Sequence, residues 1–424
     1  MTSKPITLVV IGAAGQMTSI AVCALARTEP RWRFILCDIN ETALAAVGAE
    51  VSKTAAATTR RLDLFDADQL QAVIREADFV LHGAGPFQKT ATLVRRACVA
   101  AGVAYLDLDD DVESSLEAVA VDDLARAHAV PLFVGCGASP GFTNILARDV
   151  LAQLDEPHSI DVAWCVGDEG PQEMGRAVVE HTMHIGAGDC LGWREGRAVM
   201  RKTFEASRIM PFAPPLGDYL VYEVAHPETV HLPRTFPYLK DAVCWGGLHP
   251  APMNGIIRGV ALAHAEGRLT LDEACKFFQA VSRDDAGTWA GWKEAWAGMR
   301  QQNLRGEVSL IQTLRFLGKA LRGKHATPHS GVVAVAVGMK QGRKVAVTRR
   351  SPASKPGGFW ALMATCTGNS AAAFISLAAD RSERLAGTCF PESWADPEAF
   401  YARCARMGFD LSEVIEPGVT TKLL

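Results

Sequence analysis

The sequence is poor in the features that would tie it to export, a membrane or a polyanion. Its 11 cysteines include no Cys-x-x-Cys pair and are scattered in mostly apolar surroundings, which argues against a disulfide framework or a zinc ribbon and for reduced core thiols in a cytoplasmic protein. No apolar run approaches the roughly eighteen residues needed to span a bilayer, and Met-Thr-Ser-Lys-Pro leads directly into a strand, so neither a membrane anchor nor an export signal is expected. There is no basic run, and the net charge is −4, so nucleic acid is not the expected partner. No repeat or low-complexity tract appears. What remains is a 424-residue chain, 49% hydrophobic and 21% charged, enough for two packed domains and a small-molecule partner.

The most informative stretch runs from Ile6 to Asp38. Ile6-Thr-Leu-Val-Val-Ile11 is short, apolar and rich in β-branched residues, and it meets a glycine turn, Gly12-Ala13-Ala14-Gly15-Gln16-Met17. Met17, Ile20, Ala21, Ala24 and Leu25 then fall on one helical stripe, and a second strand, Arg33 to Cys37, ends in Asp38. This order is that of a dinucleotide-binding unit. Gly12 permits the turn, Gly15 permits close approach of a pyrophosphate, and the following helix N-terminus favours its charge. Asp38 at the strand tip can reach the adenosine ribose and repel a 2′-phosphate, so NAD is expected over NADP. The third glycine position is occupied by Thr18.

Four more strand–helix alternations follow. Strands are expected at Thr58–Asp63, Ala77–His82, Val103–Leu108 and Val130–Cys136, with helices at 69–74, 92–101 and 112–128 between them. Asp63 is a candidate neighbour of the adenine. The turn Gly83-Ala84-Gly85-Pro86-Phe87 lies where open parallel sheets bind ligands and leaves room for the ribose and nicotinamide, with Phe87 toward the substrate. Six strands alternating with helices predict an α/β fold, a Rossmann-type doubly wound parallel sheet, over residues 1–138.

The glycine turn, Ala84-Gly-Pro-Phe87, Tyr105-Leu-Asp-Leu108 and above all Gly137-Ala-Ser-Pro-Gly-Phe-Thr-Asn-Ile-Leu-Ala147 together resemble the saccharopine dehydrogenase family. His226-Pro-Glu-Thr-Val-His-Leu-Pro-Arg234, Met363-Ala-Thr-Cys-Thr-Gly-Asn-Ser-Ala-Ala-Ala373 and Gly387-Thr-Cys-Phe-Pro-Glu392 extend the likeness along the chain. The resemblance implies a nicotinamide-dependent oxidoreductase acting at a C–N bond of an amino acid or polyamine. It also implies a tail, 359–424, that packs back on the nucleotide domain.

Residues 139–358 are expected to form a second, α+β domain that binds substrate and supports a homodimer. Its elements are a helix at 143–154, a strand at 161–166, a helix at 174–185 and short strands between 197 and 236. A helical span at 269–321, with Trp289, Trp292 and Trp296 on one stripe, precedes a hairpin around Lys340–Arg343. The stripe suits a core, or alternatively a subunit interface. An exposed loop is expected over 322–331. His181 and His184, at i and i+3, lack a third ligand and the His-Glu-x-x-His pattern, so no metal is expected; a role in the substrate cleft or in helix packing stays open.

An enzyme of this type must seat an amine-bearing carbon over the nicotinamide, move one proton at nitrogen and clamp substrate charge. Asp107, Asp110 and His181 are the candidates for proton transfer; for any one of the aspartates the alternative is capping the next helix. Arg234 suits a bidentate carboxylate clamp, or alternatively an ion pair bracing the sheet. Thr143 and Asn144 either cap their helix or hydrogen-bond the substrate. The competing functions are a C–O dehydrogenase on the same scaffold and a nucleotide-binding protein without turnover.

Overall fold

The computed structural model describes residues 5–167, 176–282, 287–320, 322 and 329–424. The loop expected at 322–331 and the start of the helix expected at 174 lie largely outside them. The chain divides into two compact units, one of residues 1–153, 230–237 and 364–418, the other of 154–229, 238–363 and 419–424.

The first unit alternates β1 (Thr7–Ile11), α1 (Gln16–Thr28), β2 (Arg33–Asp38), α2 (Glu41–Val51), β3 (Ala56–Arg61), α3 (Ala67–Ile74), β4 (Phe79–His82), α4 (Phe87–Ala101) and β5 (Ala104–Asp107). Then come α5 (Val112–Ala120), α6 (Asp122–Ala127), β6 (Pro131–Phe133) and α7 (Phe142–Leu151). Asn40 and Asp66 cap α2 and α3 by accepting from the amides of Ala43 and Gln69, and Gly102, at φ 72°, ends α4 in the left-handed region that favours glycine. The single helix expected over 112–128 is broken at Val121 into α5 and α6. Helix α7, expected to open the second domain, belongs to this unit.

The second unit holds β7 (Glu156–Val166), α8 (Arg176–Ala187), β8 (Asp189–Arg194), β9 (Arg197–Lys202), β10 (Ser207–Pro211) and β11 (Asp218–Glu223). Helix α9 (Glu228–Thr235) carries the chain briefly into the first unit, in a region where the proline-broken sequence predicts strands and turns. The second unit continues with β12 (Asp241–Leu248), α10 (Pro252–Ala265), α11 (Leu271–Ser282), α12 (Trp289–Leu304), α13 (Leu310–Ala320), β13 (Gly331–Lys340) and β14 (Arg343–Arg350). The tail adds α14 (Met363–Ala379), β15 (Gly387–Cys389), α15 (Pro391–Trp394), α16 (Pro397–Arg406) and α17 (Leu411–Val414), mainly to the first unit, and β16 (Thr420–Leu423) to the second.

The first unit's sheet has the order β15-β6-β5-β4-β1-β2-β3 and is parallel throughout. Its central strands are apolar and buried on both faces, as helices on both sides require. Edge strand β3 is largely exposed and ends in Arg60 and Arg61. Gly368 fits α14 against α1, since a Cβ there would meet the Met17 carbonyl oxygen at 2.5 Å.

The second unit is a mixed sheet, β10-β11-β12-β7-β13-β14-β16, with the β8–β9 hairpin beside β12. Apolar faces of α8, α10, α11 and α12 form a separate helical core around Ile256, Val260, Phe277, Ala295 and Met299. Helices α10 and α12 cross at glycines: a Cβ on Gly298 would lie 2.0 Å from the Gly255 carbonyl oxygen. The tryptophan stripe is not a core stripe. Trp292 packs on Phe277, but Trp289 and Trp296 are 85% and 47% exposed, because α12 turns them away from the face that holds Ala295 and Met299.

Candidate functional site

The glycine turn after β1 is shaped by close backbone approach. Gly12 has φ +78°, and a Cβ on it would lie 2.6 Å from the Ala84 nitrogen; at Gly15 the same atom would lie 3.1 Å from the Gly12 carbonyl oxygen. The amides of Gly12 and Ala13 donate to the Cys37 carbonyl at 2.9 and 3.0 Å, which locks the turn onto the end of β2. Asp38 completes this lock. One carboxylate oxygen accepts from the Ala14 amide at 2.9 Å and the other from the Asn40 amide at 2.9 Å. Helix α1 starts at Gln16 with no side-chain cap from Gly15. Its opening turn is therefore of the type that receives an anion on backbone amides and a positive helix end.

Ala14, Gly15 and Met17 are half-buried and Gln16 is exposed, while Gly83, Ala84, Gly85 and Pro86 form the facing turn after β4. A backbone that tolerates no Cβ at Gly12, amides at a helix start and a carboxylate at the next strand tip fit a dinucleotide. Asp63, half-buried, accepts from the Phe65 amide at 3.0 Å and so shapes its own turn beyond β3. Arg60 pairs with Glu76 at 2.6 Å, and Arg61 with Glu41 at 3.4 Å.

At the C-terminal ends of β4 and β5 runs a buried polar chain. His82 Nδ1 lies 2.9 Å from the Tyr105 hydroxyl, which donates to Asp107 at 2.8 Å. Arg95 on α4, with no exposed surface, donates to Asp107 at 2.6 and 3.2 Å, to the Ser114 carbonyl at 2.7 Å, and to Asp109. The other Asp107 oxygen accepts from the amides of Gly135 at 2.8 Å and Asp109 at 3.2 Å. Burial holds His82 neutral, its pKa lowered to about 4. Burial also raises Asp109 to about 7, against the opposing pull of Arg95. Asp107 is thus fully buried and committed to protein donors, an anchor for Arg95 rather than a group open to substrate. Asp110, the other carboxylate expected to move a proton, is only partly buried.

The Gly137–Ala147 motif also proves architectural at its centre. Gly141, at φ +124°, approaches Gly137 so closely that a Cβ would sit 2.1 Å from the Gly137 carbonyl oxygen. Asn144 is fully buried; its Oδ1 accepts from the Gly141 amide at 2.9 Å, and its Nδ2 donates to Glu392 at 2.9 Å. Of the two roles open to Asn144, capping is the one found. Thr143 is equally buried, with its amide on the Ala138 carbonyl at 3.0 Å. Glu392 also accepts from Thr235, fastening the end of α9 to α15. Arg234, one residue earlier, is exposed. Phe87 is buried edge-on against His82, with ring centres 5.5 Å apart.

The second unit holds a group that spacing alone did not single out. His226 Nδ1 lies 3.0 Å from Glu228 Oε2, and Cys244 of β12 joins them so that one donor atom from each falls within 4.8 Å of the others. All three are buried. The His181 ring lies 6.0 Å from that of His226, edge-on, and the Trp164 ring lies 5.7 Å from it. The His-Pro-Glu segment was visible in the sequence, but only the fold brings Cys244 to it.

Residues 8–129 match the family model described as the saccharopine dehydrogenase NADP binding domain. No curated protein matches the chain by sequence. Among solved structures, apo saccharopine dehydrogenase (L-Glu forming) from Saccharomyces cerevisiae superposes with a TM-score of 0.63 at 12% identity, covering 99% of this chain and 100% of that one. GenD2 from gentamicin A biosynthesis, in complex with NAD, matches at TM-score 0.32 and 16% identity over 58% of this chain and 66% of its own. An NAD+-bound xylitol dehydrogenase matches at 0.26 and 15% over 30% and 68%. Scores this low carry no weight beside the first. Residues 8–129 thus resemble the saccharopine dehydrogenase NADP binding domain, and the chain as a whole shares the fold of saccharopine dehydrogenase.

Proposed function

We propose that this protein is an NAD-dependent oxidoreductase acting on a carbon–nitrogen bond of an amino-acid or polyamine-type substrate. The observation that carries the reading is the turn in which Gly12 abuts Ala84 while Asp38 holds the Ala14 amide at 2.9 Å. That arrangement suits a pyrophosphate beside α1 and a ribose beside Asp38. The fold shared with an enzyme named for forming L-Glu from saccharopine supports a substrate with a C–N bond.

A bound nicotinamide supplies the hydride chemistry. The chain's own tasks are to hold the dinucleotide, seat the amine-bearing carbon and move one proton at nitrogen. Asp110 and His181, both partly exposed, are the groups proposed for the proton. Arg234, exposed at the end of α9, is proposed to clamp a substrate carboxylate. A second reading, NADP as cofactor, is favoured by Arg61, which stands in register beside Asp38 on the neighbouring strand, and by the NADP-binding description of the matching family.

The test follows absorbance of the reduced nicotinamide with NAD and NADP separately, against lysine, saccharopine, diamines, keto acids and simple alcohols. Turnover of an amine substrate with NAD is expected, and Arg234→Lys should lower kcat/KM while leaving NAD affinity intact. Turnover confined to alcohols would move the chemistry to C–O bonds. Tight dinucleotide binding with no turnover on any member of the panel would make this a binding protein.

A further inference from the structure

We propose that His226, Glu228 and Cys244 form a binding site for a divalent transition metal of the zinc class, independent of the nucleotide turn. Four observations support it. The three donors are chemically mixed, an imidazole, a carboxylate and a thiol, the set zinc takes in proteins. They are all buried, and a donor atom from each lies within 4.8 Å of the others. Tetrahedral zinc holds its ligand atoms about 3.3 to 3.8 Å apart at ordinary bond lengths, so shifts of an ångström or less close the sphere. His226 Nδ1 and Glu228 Oε2, at 3.0 Å, need only open slightly.

Charge argues the same way. A thiolate, a carboxylate and a neutral imidazole carry two negative charges, and a divalent cation brings the buried group to neutrality, which removes the main cost of ionising it there. Binding the ion releases the Cys244 proton to solvent, and no oxidant or reductant takes part. Geometry of the backbone makes the site specific. His226 and Glu228 flank Pro227 at the entry to α9, where the Thr229 hydroxyl holds the His226 carbonyl at 3.0 Å, and Cys244 projects from the middle of β12. Trp164 packs beside His226, an apolar wall of the kind that keeps metal-bound water from exchanging freely. Three protein donors leave a coordination position for water or a ligand, the pattern of reactive rather than purely structural zinc sites. The His181 ring lies 6.0 Å from that of His226, a further imidazole beside the donor set.

The experiment uses the full chain, stripped with a chelator and reloaded with Zn2+ or Co2+ alone. Elemental analysis should find roughly one metal per chain, and the cobalt form should show a near-ultraviolet thiolate-to-metal charge-transfer band. Cys244→Ser should abolish that band, and His226→Gln should weaken cobalt binding by at least about tenfold. Dinucleotide binding, measured on the same samples, should be unchanged in both variants, which separates this site from the nucleotide reading. Failure of the wild-type chain to take up metal overturns the proposal, whatever the variants do. So does metal uptake whose stoichiometry and spectrum are the same in His226→Gln and in wild type.

Discussion

The side chain of Thr18 occupies the space that a side chain at Gly83 would need: a Cβ on Gly83 would lie 2.0 Å from Thr18 Oγ1. Thr18 stands at the third position of the glycine fingerprint, where close packing of the first helix on the sheet ordinarily calls for glycine. Here the small residue is on the opposite side of the contact. Thr18 is 1% exposed on α1, and the missing side chain is that of Gly83, just beyond β4. The helix still approaches the sheet, and the departure from the fingerprint is compensated 65 positions away.

Gly83→Ala should therefore destabilise the first unit by about 1–3 kcal/mol through overpacking. Thr18→Ala removes the obstructing hydroxyl and methyl, so the double variant should recover most of the loss. Urea unfolding of the two single variants and the double one gives a coupling energy. Strict additivity would show that the two residues do not compete for one space.

Arg95 offers a second test. Its guanidinium, fully buried, meets Asp107 and Asp109, which are equally buried. Arg95→Met leaves two carboxylates without their cation and should cost about 3–5 kcal/mol, the usual range when one partner of a buried pair is removed. Adding Asp107→Asn and Asp109→Asn should restore part of it, measured by chemical denaturation. A loss well under a kilocalorie for Arg95→Met would mean that water enters this chain and solvates the acids.

The glycine turn was readable because its geometry is local. Gly12, Gly15 and Asp38 shape it through close backbone approach and strand-tip hydrogen bonds, and a short continuous apolar run followed by a helical stripe marks both neighbours. The aspartate run at 107–111 was not readable in the same way. A carboxylate at a strand end can face solvent or a buried cation, and only the fold shows that α4 brings Arg95 beneath Asp107. Asn144 illustrates the same limit, since its partner Glu392 is 248 positions distant. At Trp289 and Trp296 the stripe rule failed, because side-chain spacing identifies a face of α12 and not what covers it. The seventh strand of the first sheet, β15, comes from the tail and pairs with β6 more than 250 positions earlier, a pairing that no local pattern reveals.

His82 makes the first unit sensitive to acid. Burial lowers its pKa from 6.5 in the unfolded chain to about 4 in the folded one. Between these values the unfolded chain binds the additional proton and the folded chain does not, so stability falls as pH drops from 6.5 towards 4. The shift corresponds to about 3 kcal/mol when fully expressed. His82→Asn removes this titration. The stability difference between wild type and variant, followed by urea unfolding from pH 7.5 down to the acid limit of folding, should shrink across that window. A difference independent of pH would mean that His82 is solvated enough to protonate in the folded state.

On the NAD reading proposed above, Asp38 is the residue on which cofactor choice turns, and its bracing and its charge can be tested separately. It braces the turn by accepting from the Ala14 and Asn40 amides, each at 2.9 Å, and this contribution is the same for either dinucleotide. On that reading its charge distinguishes them, being favourable to ribose hydroxyls and repulsive to a 2′-phosphate. Asp38→Asn removes the charge while keeping one acceptor for the turn. The ratio of Kd for NAD to Kd for NADP, from fluorescence titration of each, should rise at least about tenfold, equivalent to about 1.4 kcal/mol. Arg61 strengthens this expectation, because it stands beside Asp38 across β2 and β3 and its pairing with Glu41, at 3.4 Å between exposed side chains, is weak. Once the carboxylate is neutral, that guanidinium is the nearest registered cation for a 2′-phosphate. Equal weakening of both dinucleotides would reduce Asp38 to a brace for the glycine turn and leave the selection between them to residues outside it.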